Sequence, residues 1–386
     1  MRIKTRITIV TPVHIGTGEE KMSFEYDKKD NVLYCYDPKE LFLVKPSKEL
    51  LDKRFLNSLL KSNDGSKRDE LNRMMKKDID YSGLKPIYSL RADFTKTPKG
   101  NVSEQLKSLN KPYIPGSSIK GAIMNAVFYD FIKNHLNDFC KYIKNKVETT
   151  KNKPDIDDFL KYCDSRLLDL VKQVSNCLIC RDVFYEKLVL VEPIRKNVYD
   201  DKKDKLSLSN IECIDVNQTC DDEFIKINTD RKNVIIETLK NEKIKFGDEF
   251  IGYVSINKII KVCRAYFRDI LSEEIEMEKN NSYYVQEGLD KKLNEFYENT
   301  VQNGFYMRIG GNTNYFFKTV SYLIKKNNNN FYTRYFYKVF SPKDKPRNKN
   351  GAYPLPEKMP ATRTIYVDDL YAYYPGVIKI EFYKKN

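Results

Sequence analysis

The chain has no tryptophan and only two histidines, His14 and His135, among its 386 residues. It also lacks any run of about 18 apolar residues, the length at which a transmembrane helix becomes a candidate. The first residues carry no apolar segment of the kind that marks a secretory signal peptide. We therefore expect a cytoplasmic protein in which only two positions are open to histidine chemistry.

Short motifs of common enzyme sites are missing too. Gly16-Thr17-Gly18 lacks the Gly-Lys-Ser/Thr ending of a phosphate-binding P-loop, and neither a nucleophile elbow nor an HExxH zinc motif occurs. His14 lies beside two glycines, and as a catalytic base it would need a partner and an oxyanion stabiliser. A packed or turn-stabilising His14 is the favoured interpretation, with phosphate contact and catalysis as the alternatives.

The eight cysteines do not form a recognisable zinc motif. Cys177 and Cys180 make one CxxC pair, and Cys213 and Cys220 follow at a wider spacing. A structural zinc site usually takes four ligands from two tight turns, and no second CxxC is present. We therefore expect reduced thiols, most of them buried, and no bound metal.

The charge of the chain is strongly positive. It has 68 lysines and arginines against 54 acidic residues, a net charge of +14 and a pI of about 9.1. This balance favours a polyanionic partner such as nucleic acid, although A/T-rich coding also favours a Lys-, Asn-, Ile- and Tyr-rich composition. Among the 28 tyrosines, exposed ones beside basic residues are suited to stacking on single-stranded bases.

The segment Lys111 to Gly121, with the sequence KPYIPGSSIKG, is the most informative part of the chain. Its prolines favour an extended approach, and Gly116 permits close backbone approach or a positive φ. Ser117 or Ser118 is the predicted cap of a helix over about 117–134. An apolar stripe recurs every four residues along that helix: Ile119, Ile123, Val127 and Phe131.

This helix start combines free backbone N–H groups, two hydroxyls and the ammonium of Lys120. Such a combination is suited to binding phosphate. The alternative is an ordinary loop-to-helix junction with a good cap.

Two further segments stand near the ends of the chain. Arg2 to Val10 alternates basic or hydroxyl residues with isoleucines, which predicts a half-buried strand with one charged face. The strand leads into a turn, Thr11 to Gly18, with the sequence TPVHIGTG. Arg308 to Thr319 is a second glycine-containing loop, which begins at an arginine and precedes a predicted helix.

Elsewhere the pattern predicts a mixture of strands and helices. A hairpin is expected over 26–36, and a helix starts near Asp37. Further strands are expected over 181–191, 211–216, 246–256 and 377–383, and further helices over 257–279 and 282–300.

Together these segments resemble the RAMP proteins of CRISPR systems, and among them the family that forms the fifth subunit of the type III-A Csm effector complex. The strand and turn over 2–18 resemble that family's N-terminal signature, and Pro112 to Gly121 resembles its central motif. Arg308 to Thr319 stands where the family has its glycine-rich loop. Met359 to Thr364 and Pro375 to Lys379 resemble the end of the family's sequence.

The resemblance implies an α+β fold of two ferredoxin-like (RRM-like) RAMP modules with helical insertions. We expect an N-terminal domain over 1–195, with insertions at about 45–85 and 117–175. The C-terminal domain is expected over 206–386, with its glycine-rich loop at 308–315.

The resemblance also implies a non-catalytic, RNA-binding subunit that binds and caps the 3′ part of the crRNA and serves crRNA maturation and antiviral defence. Its implied partners are the crRNA, the neighbouring backbone RAMP subunit, other Csm subunits and host nucleases, with no membrane and no cofactor. The residues expected at the RNA are His14, Ser117, Ser118, Lys120, Arg181, Arg308, Gly310, Gly311, Lys318 and Arg363.

Two alternatives remain open at this stage. The first is a metal-independent CRISPR endoribonuclease that processes precursor crRNA, in which His14 is the catalytic residue. The second is a mainly structural protein whose contacts are to other subunits and whose positive charge is incidental.

Overall fold

The structure is a computed structural model, and it describes residues 3–44, 76, 79–94, 100–149, 155–198, 206–278, 281–313, 317, 320–339 and 362–384. Most of the predicted insertion at 45–85 lies outside these residues. So do Lys318 and the last two residues of the predicted glycine-rich loop at 308–315.

Helices and strands are mixed along the described chain, which confirms the expected α+β class. The helices are α1 Pro38–Val44, α2 Gly116–Asn134, α3 Leu136–Thr149, α4 Ile156–Cys163, α5 Leu167–Cys177, α6 Thr229–Asn241, α7 Gly247–Gly252, α8 Ile256–Glu278, α9 Ser282–Gln286, α10 Leu289–Glu298, α11 Ser321–Asn327 and α12 Asn329–Val339. The strands are β1 Ile3–Ile9, β2 Gly16–Lys21, β3 Tyr26–Lys29, β4 Val32–Cys35, β5 Tyr88–Arg91, β6 Val102–Gln105, β7 Lys107–Ser108, β8 Lys111–Ile114, β9 Leu178–Cys180, β10 Val183–Phe184, β11 Leu188–Asn197, β12 Leu206–Ser207, β13 Ile211–Ile214, β14 Thr219–Asp222, β15 Ile225–Ile227, β16 Gly304–Arg308, β17 Thr362–Val367, β18 Ala372–Tyr373 and β19 Val377–Lys384.

An antiparallel sheet joins the two ends of the chain in the order β14-β1-β19-β16. In β1, Ile7 and Ile9 are fully buried, while Arg6 faces solvent and pairs with Asp221 at 2.8 Å. This is the half-buried strand with one charged face that the alternation predicts. β1 therefore anchors the N-terminus in the core and leads directly into the turn at 11–18.

A larger sheet has the order β2-β6-β13-β11-β5-β4-β3. The second half of β11 also pairs with β17, in antiparallel orientation. The predicted hairpin over 26–36 is present as β3 and β4. Strands from both predicted domains share these sheets, since β1 pairs with β19 and β11 pairs with β17. The division into two ferredoxin-like modules stays a prediction.

The main core lies where α2 and α8 pack together and α8 covers β16. The predicted stripe of α2 is buried, since Ile119, Ile123, Val127 and Phe131 are each at most 3% exposed. No helix in the described part of the chain is long and apolar enough to cross a membrane.

Two local predictions are corrected by the structure. Residues 246–256, predicted as a strand, form α7, a turn and the first residue of α8. The buried positions of α7, Gly247 and Phe250, are three residues apart, as on a helix face and not as in an alternating strand. Ser117 and Ser118 do not cap α2. That helix begins one residue earlier, with Pro115 in the cap position and no side-chain cap.

Candidate nucleic-acid interface

The central motif forms a tight junction between the start of α2 and the connection from β9 to β10. A Cβ atom on Gly116 would lie 2.2 Å from the carbonyl oxygen of Cys180 and 2.8 Å from the carbonyl carbon of Arg181. Only glycine allows two backbones to approach this closely. The motif glycine is therefore required by packing, and it brings Arg181 against the start of α2.

The first amide of α2 is satisfied from within the chain. The Gly116 N–H donates to Asp182 Oδ1 at 2.8 Å, so a carboxylate from the β9–β10 connection occupies part of the predicted anion site. Asp182 thus binds the N-terminal amide of the helix, a capping role that the sequence had suggested for Ser117 or Ser118.

Four predicted residues come together around this junction, and we call them the α2 patch: Ser117, Ser118, Lys120 and Arg181. Ser117 and Arg181 are exposed, and Ser118 and Lys120 are half-buried. The Lys120 ammonium lies near the thiol of Cys180. Burial raises the pKa of that thiol to about 12, and the positive charge of Lys120 acts in the opposite direction. Among the described residues, no carboxylate lies within 4.0 Å of either cation, so the patch presents two uncompensated positive charges.

An aromatic pair borders the α2 patch. Tyr113 on β8 and Phe184 on β10 stack with ring centroids 5.1 Å apart, and Phe184 is 45% exposed. An exposed aromatic face beside basic side chains is a suitable platform for a single-stranded base. The sequence did not point to Phe184, because it stands between Val183 and Tyr185 and nothing in this apolar stretch indicates which ring is exposed.

The N-terminal turn and the C-terminal glycine loop form a second junction. The Gly311 N–H donates to the His14 carbonyl at 2.8 Å, and Gly310 adopts a φ of +89°. A Cβ on Gly310 would lie 2.3 Å from the same carbonyl oxygen. The structure thus brings His14, near the start of the sequence, together with Gly310 and Gly311, near its end.

The His14 ring itself is packed in the interior, with 8% of the residue exposed. Nδ1 lies 2.7 Å from the Glu212 carbonyl oxygen, which accepts only, so Nδ1 carries the proton of the neutral ring. Burial lowers the pKa of His14. The Glu212 carboxylate is held by Tyr26 at 2.8 Å, Tyr88 at 2.6 Å and Lys107, and not by the imidazole. Among the residues that the structure describes, no carboxylate therefore orients His14 as in an acid–base pair.

Gln105 connects the two junctions. Its Oε1 accepts from the Ile15 N–H at 2.8 Å, and its Nε2 donates to the Tyr113 carbonyl at 3.4 Å. Its own N–H donates to the Glu212 carboxylate at 3.1 Å. The side chain of one residue on β6 therefore links the turn after β1 to the strand that leads into the central motif.

The side chains of Arg308 and Arg363, both predicted at the RNA, lie in the interior. Both are fully buried against α8, where Arg308 pairs with Glu274 at 3.0 Å. Arg363 lies 3.5 Å from Glu274 and 3.9 Å from Glu278. Burial and the nearby Glu274 raise the pKa of Glu278. Both arginines therefore lie beside buried carboxyl groups, and their contact with RNA stays a prediction.

Metal ligation is not evident in the part of the chain described. No group of three or more His, Cys, Asp or Glu side chains there is arranged to hold a metal ion. Cys177 and Cys213 are buried, and Cys180 and Cys220 are partly buried. Burial raises the pKa of each of these four thiols, which favours the protonated form.

The fold and the two motif junctions define a class of protein. The chain matches the RAMP superfamily over residues 6–317, and it belongs to that superfamily. The resemblance to the fifth subunit of Csm complexes is confirmed by curated relatives. One, described as CRISPR system Cms protein Csm5 from Methanocaldococcus jannaschii, is 25% identical over 407 residues, which cover 98% of this chain and 88% of that protein. Another with the same description, from Streptococcus thermophilus, is 26% identical over 155 residues, covering 36% of this chain and 43% of that protein.

Solved structures share the fold. A chain from a cryo-EM structure of a Csm–crRNA–target RNA ternary complex in a type III-A CRISPR-Cas system superposes with a TM-score of 0.65 at 19% identity, covering 98% of this chain and 100% of that one. The crystal structure of T. onnurineus Csm5 superposes with a TM-score of 0.56 at 18% identity, covering 84% of this chain and 95% of that one.

Proposed function

We propose that this chain is a non-catalytic, RNA-binding subunit of a type III-A CRISPR effector complex that serves antiviral defence. In that complex it binds the 3′ part of the crRNA and caps the filament of backbone RAMP subunits. It also supports crRNA maturation by leaving the 3′ end accessible to host nucleases. The similarity to proteins described as Csm5 along almost the whole chain supports this role.

The α2 patch is the observation that carries the proposal. It places Lys120 and Arg181, both without a carboxylate within 4.0 Å in the described chain, beside two hydroxyls and the half-exposed ring of Phe184. Cations and hydroxyls bind phosphates without reading sequence, and an exposed ring stacks on any base. This chemistry fits a subunit that must hold guide RNAs of many sequences.

The glycine loop supplies the second contact in the proposal. Gly310 and Gly311 are half-buried and lack side chains, so RNA is able to approach their backbone. His14 acts through them, because its carbonyl fixes the position of the Gly311 N–H. Arg308 leads into this loop as the last residue of β16.

The proposal is tested in a reconstituted complex that contains crRNA with photoreactive nucleotides at defined positions. We expect crosslinks from this chain to the 3′ part of the crRNA, and we expect Lys120→Ala with Arg181→Ala to weaken them. The control is Lys141→Ala with Lys172→Ala, which removes two lysines whose side chains are 73% and 62% exposed on other helices. Crosslinks confined to the 5′ part, or equal loss in both double variants, would contradict the proposal.

The endoribonuclease alternative is tested with the purified chain and precursor RNA. With His14 buried and without an orienting carboxylate, we expect precursor RNA to stay intact in the presence of the purified chain. Site-specific cleavage that is lost in His14→Ala would overturn the non-catalytic assignment.

A further inference from the structure

A groove that the proposed interface does not use lies between α8 and the segment that leads into β16. Two adjoining cavities of about 160 Å³ and about 460 Å³ form it, and both are lined by Arg264 and Arg268. The larger falls within the usual size of small-ligand sites, ~300–1,000 Å³. We call this the α8 groove.

One wall of the α8 groove is a basic helix face. Asn257, Lys261, Arg264 and Arg268 are spaced by four, three and four residues, so they lie on the same side of α8. Neither aspartate nor glutamate lines either cavity. Within the described chain, no carboxylate lies within 4.0 Å of Lys261 or Arg268, whereas the nearby Lys258 pairs with Asp130 at 3.6 Å.

The opposite wall is held in place by Arg264. Its Nε donates to the Gly304 carbonyl at 2.6 Å, and a second N–H donates to the Val301 carbonyl. Arg264 therefore fixes the loop before β16 against the helix. Lys261 and Arg268, on either side of it, keep their charged groups directed at solvent, since both residues are exposed.

The smaller of the two cavities has an aromatic floor. Phe296 and Tyr306 are half-buried, with ring centroids 5.5 Å apart, and Phe267 lies beneath Tyr306 at 6.0 Å. The Arg268 guanidinium sits 4.9 Å from the centroid of the Tyr297 ring. Aromatic faces in one cavity, with Arg268 at their edge and Lys261 in the adjoining cavity, are the elements of a site for single-stranded nucleic acid.

The α8 groove is separate from the junctions described above. It lies at the first residues of β16, whereas the glycine loop follows the last residue of that strand. Four residue steps along a strand correspond to about 13 Å. An RNA at the glycine loop and an RNA in the groove are therefore bound by different side chains.

We propose that the α8 groove binds a segment of single-stranded RNA, with phosphates at Lys261 and Arg268 and a base against Phe296 and Tyr306. The inference rests on the proposed function in one respect only: the RNA is that of the effector complex. An acidic protein segment would satisfy the cations, but it would leave the aromatic floor without a planar partner.

The absence of tryptophan makes a direct test possible, because Phe296→Trp creates the only indole in the chain. We expect short single-stranded oligoribonucleotides to quench the fluorescence of this variant by stacking. The matched control is Tyr162→Trp on α4, at a position that is 52% exposed and remote in sequence from the groove. Absence of quenching at position 296, or equal quenching at both positions, would overturn the proposal.

Variants that remove charge then show which cations bind the RNA that quenches the indole. In the Phe296→Trp background, Lys261→Ala with Arg268→Ala should weaken RNA affinity at the groove and lower the salt slope of log Kd by about 1.4, the value for two phosphate contacts to a single strand. Lys120→Ala with Arg181→Ala should leave the quenching midpoint unchanged. If the α2 variant alone abolishes quenching, the groove is not an independent site. If the groove variant loses assembly with other subunits while quenching is unchanged, the groove is a protein interface and the proposal fails.

A separate readout keeps this inference distinct from the proposed function. Quenching at the groove with no crosslink to the crRNA 3′ part would support the groove and contradict the capping role. Crosslinks to the 3′ part without quenching would support the capping role and contradict RNA binding in the groove.

Discussion

Gly116 occupies a position where any side chain would meet the backbone of the β9–β10 connection. We predict that Gly116→Ala lowers the free energy of unfolding by about 1–3 kcal/mol, the usual cost of overpacking, because the Cys180 carbonyl would lie 2.2 Å from the new Cβ. Gly121→Ala on the same helix meets nothing within 4 Å and should stabilise by up to about 1 kcal/mol. Urea denaturation measures both, and a tolerated Gly116→Ala would refute this packing role.

His14 should make the stability of the fold depend on pH. Burial lowers the pKa of the folded ring, while the unfolded ring titrates near its ordinary value of about 6.5. The unfolded state therefore binds more protons as pH falls, so stability should be full above about pH 6.5 and decline below it. His14→Asn keeps an N–H donor for the Glu212 carbonyl and should reduce this decline.

The titration of His14 is also directly observable. With only two histidines in the chain, an NMR spectrum labelled at histidine contains two ring signals. We expect one of them to titrate below pH 6.5 and to disappear in His14→Asn. A His14 signal that titrates at or above 6.5 would contradict the buried, neutral ring.

For single residues, the sequence identified special segments more reliably than it predicted the contacts that their residues make. Pro112 to Gly121 was identified as a special segment, and Lys120 and Arg181 do lie together on the surface. The residue at the first amide of α2 is Asp182, 66 positions away from Gly116, and no local pattern predicts such a partner. Arg308 and Arg363 were indistinguishable in sequence from surface arginines, because their acidic partners lie on a separate helix.

At the scale of elements, α8 joins the structural and the proposed binding features. One end carries Glu274 and Glu278, which lie beside the buried Arg308 and Arg363, and the other end carries the cations of the α8 groove. The apolar periodicity of 257–279 predicted this helix within one residue at each end. The strand predicted over 246–256 was wrong because a short apolar run is compatible with both periodicities, and tertiary contacts decide between them.

The buried ion cluster on α8 gives a prediction for this scale. Arg308→Met should destabilise the fold by about 3–5 kcal/mol, because it leaves Glu274 without one of its buried counter-charges. Adding Glu274→Met should restore only part of the loss, since it removes the unpaired carboxylate but also takes from the buried Arg363 its carboxylate at 3.5 Å. Chemical denaturation of the single and double variants measures the coupling. An Arg308→Met protein of native stability with weakened RNA binding would return Arg308 to the RNA interface.

At the scale of the whole molecule, the ends of the chain share one sheet. β1 pairs with β19, and the turn after β1 holds the loop after β16. The pattern of apolar residues predicted a mixed fold, the net charge favoured a polyanionic partner, and the family motifs predicted the superfamily. The pairing of strands across the chain is a long-range property, and alternation within a strand carries no information about which strand lies beside it.

The central claim is that this protein binds RNA through phosphate contacts at the α2 patch. The most direct measurement is the Kd for a crRNA-like single strand over a salt series, for the wild-type chain and for Lys120→Ala with Arg181→Ala. We predict that log Kd changes linearly with log salt concentration, and that the double variant has a slope smaller by about 1.4. Binding that is independent of salt, or an unchanged slope in the double variant, would contradict the account.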